Sequence, residues 1–267
     1  MTTVIHPTAI VEDGAKIGDN VEIGPYSFVG SQVELKNGVK LISHVWIGGD
    51  TVVGENTEIS PFAVIGSKNQ DLKDKEKKGK LVIGKNNSIR EYVTMQPGSP
   101  DDNNITIVGD NGLFMIGVHI AHDCIVGNNV IMSNNATLAG HVKVGDNAII
   151  GGLSAVHQFS RIGSHAMVGG MSPVTRDVIP YSLISQTGLE GINIIGLKRR
   201  GFSLDTINKL RLAVSEIFKG DGSLQERIKS VSETYKDCEP VQDIVSFMQA
   251  DYKRGFMQPA VKASIAE

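Results

Sequence analysis

The chain has 267 residues and a formal net charge of −3, which gives no electrostatic footprint for nucleic acid. No apolar run is long enough to span a membrane, and residues 1–7 lack the basic and apolar segments of a secretory signal. Cys124 and Cys238 are the only cysteines, so no disulfide framework is expected; a reducing, cytoplasmic setting is the simpler expectation. Glycine is abundant and aromatics make up 5% of the chain, a mix that suits strands joined by tight turns.

In chain order, the first signal is a repeat. From Ile5 an aliphatic residue recurs every six: Ile5, Val11, Ile17, Ile23, Val29, Leu35 and onward to Ile65. A small or β-branched residue follows four places later, as at Ala9, Ala15, Val21 and Ser27. The pattern resumes at Ile83, Ile89 and Met95, then runs unbroken from 108 to 174. A period of six excludes a helical stripe, which needs 3.6, and exceeds strand alternation. Each hexad is therefore a short strand plus a turn, the signature of a parallel β-helix. About twenty-six hexads are counted; at three to a coil, the number that a resemblance to a known family implies, they make nearly nine coils and a prism roughly 40 Å long. The charged run at 69–80 and the segment 100–107 break the count and are expected to loop out.

Past Val178 the repeat stops and helical patterns follow. Ser203 is placed to cap a helix with Ile207, Leu210, Val214 and Ile217 on one face. Ser223 with Glu226 forms a capping box ahead of Ile228 and Val231, and Pro240 opens a helix carrying Ile244, Val245 and Met248. The expected division is a β-helix over 1–188 and a small helical domain over 189–267.

An 18-residue coil places His122, then Gly140 and His141, then His157 and Gln158 on successive coils near one edge, about 4.8 Å apart. His119 precedes that corner. Cys124 falls on the small inward position and is expected in the core. Three readings of the histidines stand open at this point. Surface histidines are common and neutral. His119, His122 and His141 have the spacing of a zinc site, as in a metal-dependent carbonic anhydrase on the same fold. His122 followed by Asp123 is also an imidazole with a carboxylate to orient it as a general base. A non-catalytic solenoid scaffold is a further alternative.

The runs "MIGVHIAHDC", "NNATLAGHV", "IIGGLSAVHQF" and "GLKRRGF", with "AVIG" and "NQDLK" ahead of them, closely resemble the hexapeptide-repeat acyltransferases. Among these they are most similar to the UDP-N-acetylglucosamine O-acyltransferases of lipid A biosynthesis, over nearly the whole chain. The resemblance implies a left-handed coil, which periodicity alone does not give because ordinary parallel crossovers are right-handed. It also implies a homotrimer that moves an (R)-3-hydroxyacyl chain from acyl carrier protein to the 3-position of UDP-GlcNAc, without metal or cofactor. His122 would be the general base, Asp123 its support, and the Gly140 N–H the oxyanion donor.

On the same resemblance, His119, His141, His157 and Gln158 would contact sugar nucleotide and pantetheine. Arg199 and Arg200 would bind the diphosphate and Asn193 would lie near the uracil. Gln70, Asp71 and Lys73 match the family's substrate loop. Their distance from His122 in the coil count suggests a cleft shared between subunits. Lys75, Lys77, Lys78, Lys80 and Lys198 would steer the acidic carrier. Gly170 matches the position that limits acyl length and implies a longer chain. There are departures around the sugar: Thr94-Met95-Gln96-Pro97-Gly98 replaces "TIHRG", Ile195 stands where relatives carry Glu, and the stretch from 184 to 191 is shorter. They leave a 3-hydroxyl or a 3-amino acceptor open. A sister N-acyltransferase would carry an extra N-terminal domain, whereas hexads here begin at Ile5.

Overall fold

The computed structural model describes residues 2–71, 79–99, 104–250 and 253–260. Twenty-six short strands run from β1 (Val4–Ile5) to β26 (Pro173–Val174). Each pairs in parallel with the third strand before and after it, so three sheets form the faces of a prism. Face A begins with β1, face B with β2 (Ile10–Val11) and face C with β3 (Lys16–Ile17). Register advances by one coil at a time, as in Val4 opposite Glu22 and Glu22 opposite Lys40. The second residue of each two-residue strand points inward. Ile23, Leu41, Ile59, Ile89 and Phe114 accordingly stack in a continuous buried column. Cys124 lies in the same core, and burial pushes its thiol up to about 12.

Corners this tight need the left-handed backbone region. Among the described residues, nineteen non-glycine positions have positive φ, and Asn fills many of those between faces C and A. Asn suits the slot because its short amide bonds locally. Here it also bonds vertically, Asn56 to Asn86 (3.4 Å) and Asn86 to Asn111 (3.2 Å).

Both interruptions leave face B and re-enter on face C. One lies between β11 (Val64–Ile65) and β12 (Lys80–Ile83), the other between β14 (Thr94–Met95) and β15 (Ile105–Val108). The loops are shorter than expected at their far ends, because Lys80 opens β12 and residues 105–107 belong to β15. The re-entering strands are four residues long. Both match the register of β9 (Asp50–Val53), with Leu81 and Thr106 turned inward.

Face A ends in a hairpin of β27 (Ser182–Ser185) and β28 (Gly188–Ile192), so the β structure passes the expected boundary at 188. A hairpin has no hexad period, which hid it from the repeat. Four helices follow: α1 (Ile194–Arg199), α2 (Leu204–Lys219), α3 (Leu224–Thr234) and α4 (Glu239–Gln249). Ser203 caps α2, Ser223 and Glu226 form the capping box of α3, and Pro240 sits in the first turn of α4. The apolar faces are those expected, while α1, capped by Asn193, was not. No helix among the described residues is long and apolar enough to cross a membrane.

One buried ion pair ties the last coil to its cover. Arg161, which opens β24 (Arg161–Ile162), donates its Nε to Asp177 (2.7 Å). Its backbone N–H binds the other carboxylate oxygen (2.7 Å), and its guanidinium reaches the Phe247 carbonyl of α4 (3.1 Å). Asp177 also anchors the returning chain, since its N–H binds Gly255 O and its own carbonyl accepts from Met257 N, both at 2.8 Å. Asp177→Ala removes the carboxylate that accepts from both Arg161 Nε and the Arg161 backbone N–H, at a side chain only 15% exposed. The expected loss is about 3–5 kcal/mol in urea-induced unfolding, with earlier loss of the helical signal.

Candidate active site

The edge between faces B and C carries the histidines. β17 (His119–Ile120) lies on face B and the chain turns through Ala121, His122, Asp123 and Cys124 onto face C. Asp123 occupies the left-handed corner slot (φ 59°) and is 1% exposed. Its carboxylate accepts His122 Nδ1–H at 2.8 Å and takes both oxygens to the Ser99 N–H at 2.9 and 3.0 Å. Its own N–H donates to Thr106 Oγ1 (2.8 Å). A buried carboxylate needs such donors to stay charged.

Coil stacking turns the corner into two vertical columns. In the left-handed slot, Asp123, His141 and Phe159 follow one another. His141 Nε2 lies 3.9 Å from Asp123, and its ring stacks on Phe159 at 4.5 Å. In the preceding slot come His122, Gly140 and Gln158. The columns are held by backbone bonds from His141 N to His122 O (3.0 Å) and from Phe159 N to Gly140 O (3.2 Å). His122 meets His141 edge-on, with ring centroids 5.1 Å apart. Gly140 is required here by the base itself. A Cβ at that position would stand 2.6 Å from His122 Cε1 and Nε2. Among the described residues its N–H has no hydrogen-bond partner.

His119 lies on the adjoining face with Nδ1 2.7 Å from Thr94 Oγ1; burial, then the neighbouring His122, holds its pKa below the usual imidazole value. It is therefore neutral near pH 7. Among the described residues, the group of three whose ligand atoms lie within 4.8 Å of one another is His122, Asp123 and His141, rather than the histidine trio of the zinc reading. His157 is exposed, with Nδ1 turned to the Gln158 carbonyl (3.2 Å).

Gln70 and Asp71 are closer to this edge than the coil count implied. Asn69 Nδ2 bonds Gly98 O (3.4 Å), Gln96 Nε2 bonds Lys68 O (3.4 Å), and Gln96 N bonds Ile120 O (3.0 Å). Their loop thus leaves the same edge as His122, two coils earlier, and its remoteness is no argument for a shared cleft. Lys73, Lys75, Lys77 and Lys78 lie outside the described residues.

Other expected ligands sit on other edges. Asn193 and Arg200 lie by the C–A corner, beside His165, and Arg199 ends α1 next to Arg200. The Asn193 amide is engaged at both ends, by Gly196 N (3.1 Å) and His165 O (3.2 Å). Gly170 is exposed on the A–B corner, where an added Cβ would meet Gly152 O at 3.3 Å.

Residues 177–257 match the family model described as UDP N-acetylglucosamine O-acyltransferase, domain 2. An acyl-[acyl-carrier-protein]–UDP-N-acetylglucosamine O-acyltransferase from Rickettsia typhi is 56% identical over 255 residues, covering 94% of this chain and 96% of the relative. The chain belongs to that family. It is an acyltransferase, and its prism is the left-handed parallel β-helix of these proteins. A solved UDP-N-acetylglucosamine O-acyltransferase from Moraxella catarrhalis superposes with a TM-score of 0.91 at 39% identity, over 94% of this chain and 98% of that one. One from Campylobacter jejuni gives 0.89 at 36%, over 97% and 100%. Family membership sets aside the carbonic anhydrase and scaffold readings.

Several groups that shape the acyltransferase site were not singled out in the sequence. Ser99 and Thr94 reach it across 24 and 25 residues, offsets that an 18-residue coil misses once a loop is inserted, while Thr106 lies one coil below Cys124 and bonds the neighbouring Asp123. Phe159 was legible as His141 plus 18. Gly140→Ala drives its methyl into the His122 ring while the backbone φ stays ordinary. It is expected to lower kcat by about 10²–10³ with a nearly unchanged thermal midpoint, read by steady-state kinetics beside calorimetry.

Proposed function

We propose that the chain transfers an (R)-3-hydroxyacyl group from acyl carrier protein to the 3-position of UDP-GlcNAc or its 3-amino analogue, as the first step of lipid A synthesis in the cytoplasm. The observation that carries this reading is the His122–Asp123 pair at 2.8 Å with Gly140 packed over the imidazole. In the tautomer that donates Nδ1–H to Asp123, Nε2 holds the lone pair. It takes the proton of the acceptor hydroxyl as the oxygen attacks the thioester carbon. The Gly140 N–H binds the oxyanion that forms. When the adduct collapses, the C–S bond breaks and the leaving thiolate takes the proton back from Nε2. Asp123 steadies the imidazolium between these steps, and the chemistry needs no covalent intermediate on the enzyme.

Around this centre, His119, His141, His157 and Gln158 would line the path of sugar and pantetheine, and Gln70, Asp71 and Lys73 would belong to the substrate-contacting set. Arg199 and Arg200 bind the diphosphate as bidentate guanidinium groups. Asn193 shapes the uracil end by capping α1 and fixing His165, since its amide is already spent. Asn193 and Arg200 lie on a different edge of the prism from His122, so a neighbouring copy would complete the cleft. A homotrimer is supported by the A–B corner, where Tyr26, Phe62, Tyr92, Leu153 and Met171 are 47–63% exposed. An uncharged stripe of that kind marks an interface. Lys80 and Lys198, with the lysines of the loop, would steer the acidic carrier. Gly170 leaves its groove open, which favours a long acyl chain.

The test assays the purified chain with UDP-GlcNAc and with the 3-amino analogue, using carriers bearing ten-carbon and fourteen-carbon hydroxyacyl groups. Transfer is expected, faster with the longer chain, and His122→Ala is expected to lower kcat by about 10²–10⁴ in a folded protein. Failure of the wild type with both acceptors would overturn the reading.

A further inference from the structure

The catalytic columns do not end at Phe159. After α4 the chain returns to the prism and places two cations on top of them. Lys253 Nζ lies 4.3 Å from the centre of the Phe159 ring, the same ring that stacks on His141. Arg254 Nε donates to the Gln158 carbonyl at 3.1 Å, at the head of the column that begins with His122 and Gly140. This segment is latched down. Gly255 turns with φ +60°, Phe256 is 3% exposed, and backbone bonds tie Gly255 and Met257 to Asp177 and Gln258 and Ala260 to Leu189. A cation held over an aromatic face gains order as well as energy.

Among the described residues neither cation has a carboxylate partner, and the Nη atoms of Arg254 make no hydrogen bond. Two pinned positive charges at a catalytic edge, with no carboxylate partner among the described residues, point to an anion that arrives with a substrate. Their height identifies which substrate. They lie two coils above His122, about 10 Å along the prism. The diphosphate of the acceptor has its own arginines, Arg199 and Arg200, at a different corner. The donor also carries a fixed anion. A carrier-borne acyl group hangs on phosphopantetheine, whose phosphodiester stands a pantetheine length from the thioester carbon. Two amide units and a thioethyl group span two coils with room to spare.

We infer that Lys253 and Arg254 form the phosphate end of the donor subsite and hold the phosphodiester of the phosphopantetheine arm. Arg254, with Nε fixed on Gln158, presents its two terminal nitrogens to phosphate oxygens, and Lys253 supplies a point charge beside them. Phe159 thus serves two ends of the site, packing His141 below and seating Lys253 above. The inference rests on the proposed carrier-borne donor.

Calorimetric binding of phosphopantetheine and of pantetheine reads the subsite without turnover. The wild type is expected to bind phosphopantetheine at least about tenfold more tightly than pantetheine, a preference lost in Lys253→Gln/Arg254→Gln. In steady state, the same double variant is expected to raise KM for acyl-phosphopantetheine about tenfold while shifting KM for the UDP-sugar less than twofold. Lys253→Gln alone, at an exposed position, gives a partial effect in the same direction and guards against loss of the Arg254 latch. Equal wild-type affinity for the two ligands, or a rise in the UDP-sugar KM instead, overturns the inference. Phosphate-dependent binding without any acyl transfer would sustain it and count against the proposed function.

Discussion

Parallel hydrogen bonding between coils one turn apart is the constraint on which everything else rests. It fixes a spacing of about 4.8 Å along the prism and forbids lateral slip, because a shift of one residue would turn the aliphatic column outward. Within that frame a side chain has few choices: inward on a strand, outward on a strand, or at a corner. His122, Gly140 and Gln158 are neighbours because the register leaves them nowhere else to go.

Corner chemistry then differentiates the three edges. Between faces C and A, Asn fills the left-handed slots and builds a vertical ladder. Between faces A and B the same slots hold exposed Tyr26, Phe62 and Tyr92 in a stacked series with His44. Between faces B and C they hold Asp123, His141 and Phe159. One backbone geometry is thus used for a structural ladder, an apolar stripe and a catalytic column. The choice among them is made by side chains that cost the core nothing.

Much of this was legible in the sequence, and the reason is the period. Hexads fixed the inward residues, the place of Cys124 and the stacking of His122 under Gly140. Caps and apolar spacing located three of the four helices. Legibility stopped where the period stopped. The hairpin at 182–192 has no hexad, and the expected boundary at 188 cuts through its second strand. Loop insertions hid Ser99 and Thr94, whose offsets from the site are not multiples of a coil. Gly140 was expected as an oxyanion donor; the reason it carries no side chain is the imidazole 2.6 Å from where its Cβ would stand. Lys253 and Arg254 were invisible because contact across 94 and 96 residues leaves no local pattern.

The two loops that leave face B and return on face C have a consequence for how such a molecule can change. Each departs and re-enters without altering the register of the coils on either side: β12 and β15 resume the pairing set by β9 as if nothing intervened. Length is therefore absorbed sideways, at the edge that also holds Asp123. The Ser99 N–H, reaching both carboxylate oxygens from the base of one such loop, makes that edge responsive to what is inserted there. The prism acts as a ruler with fixed graduations, and substrate preference can be rewritten in its margin while the scale stays the same.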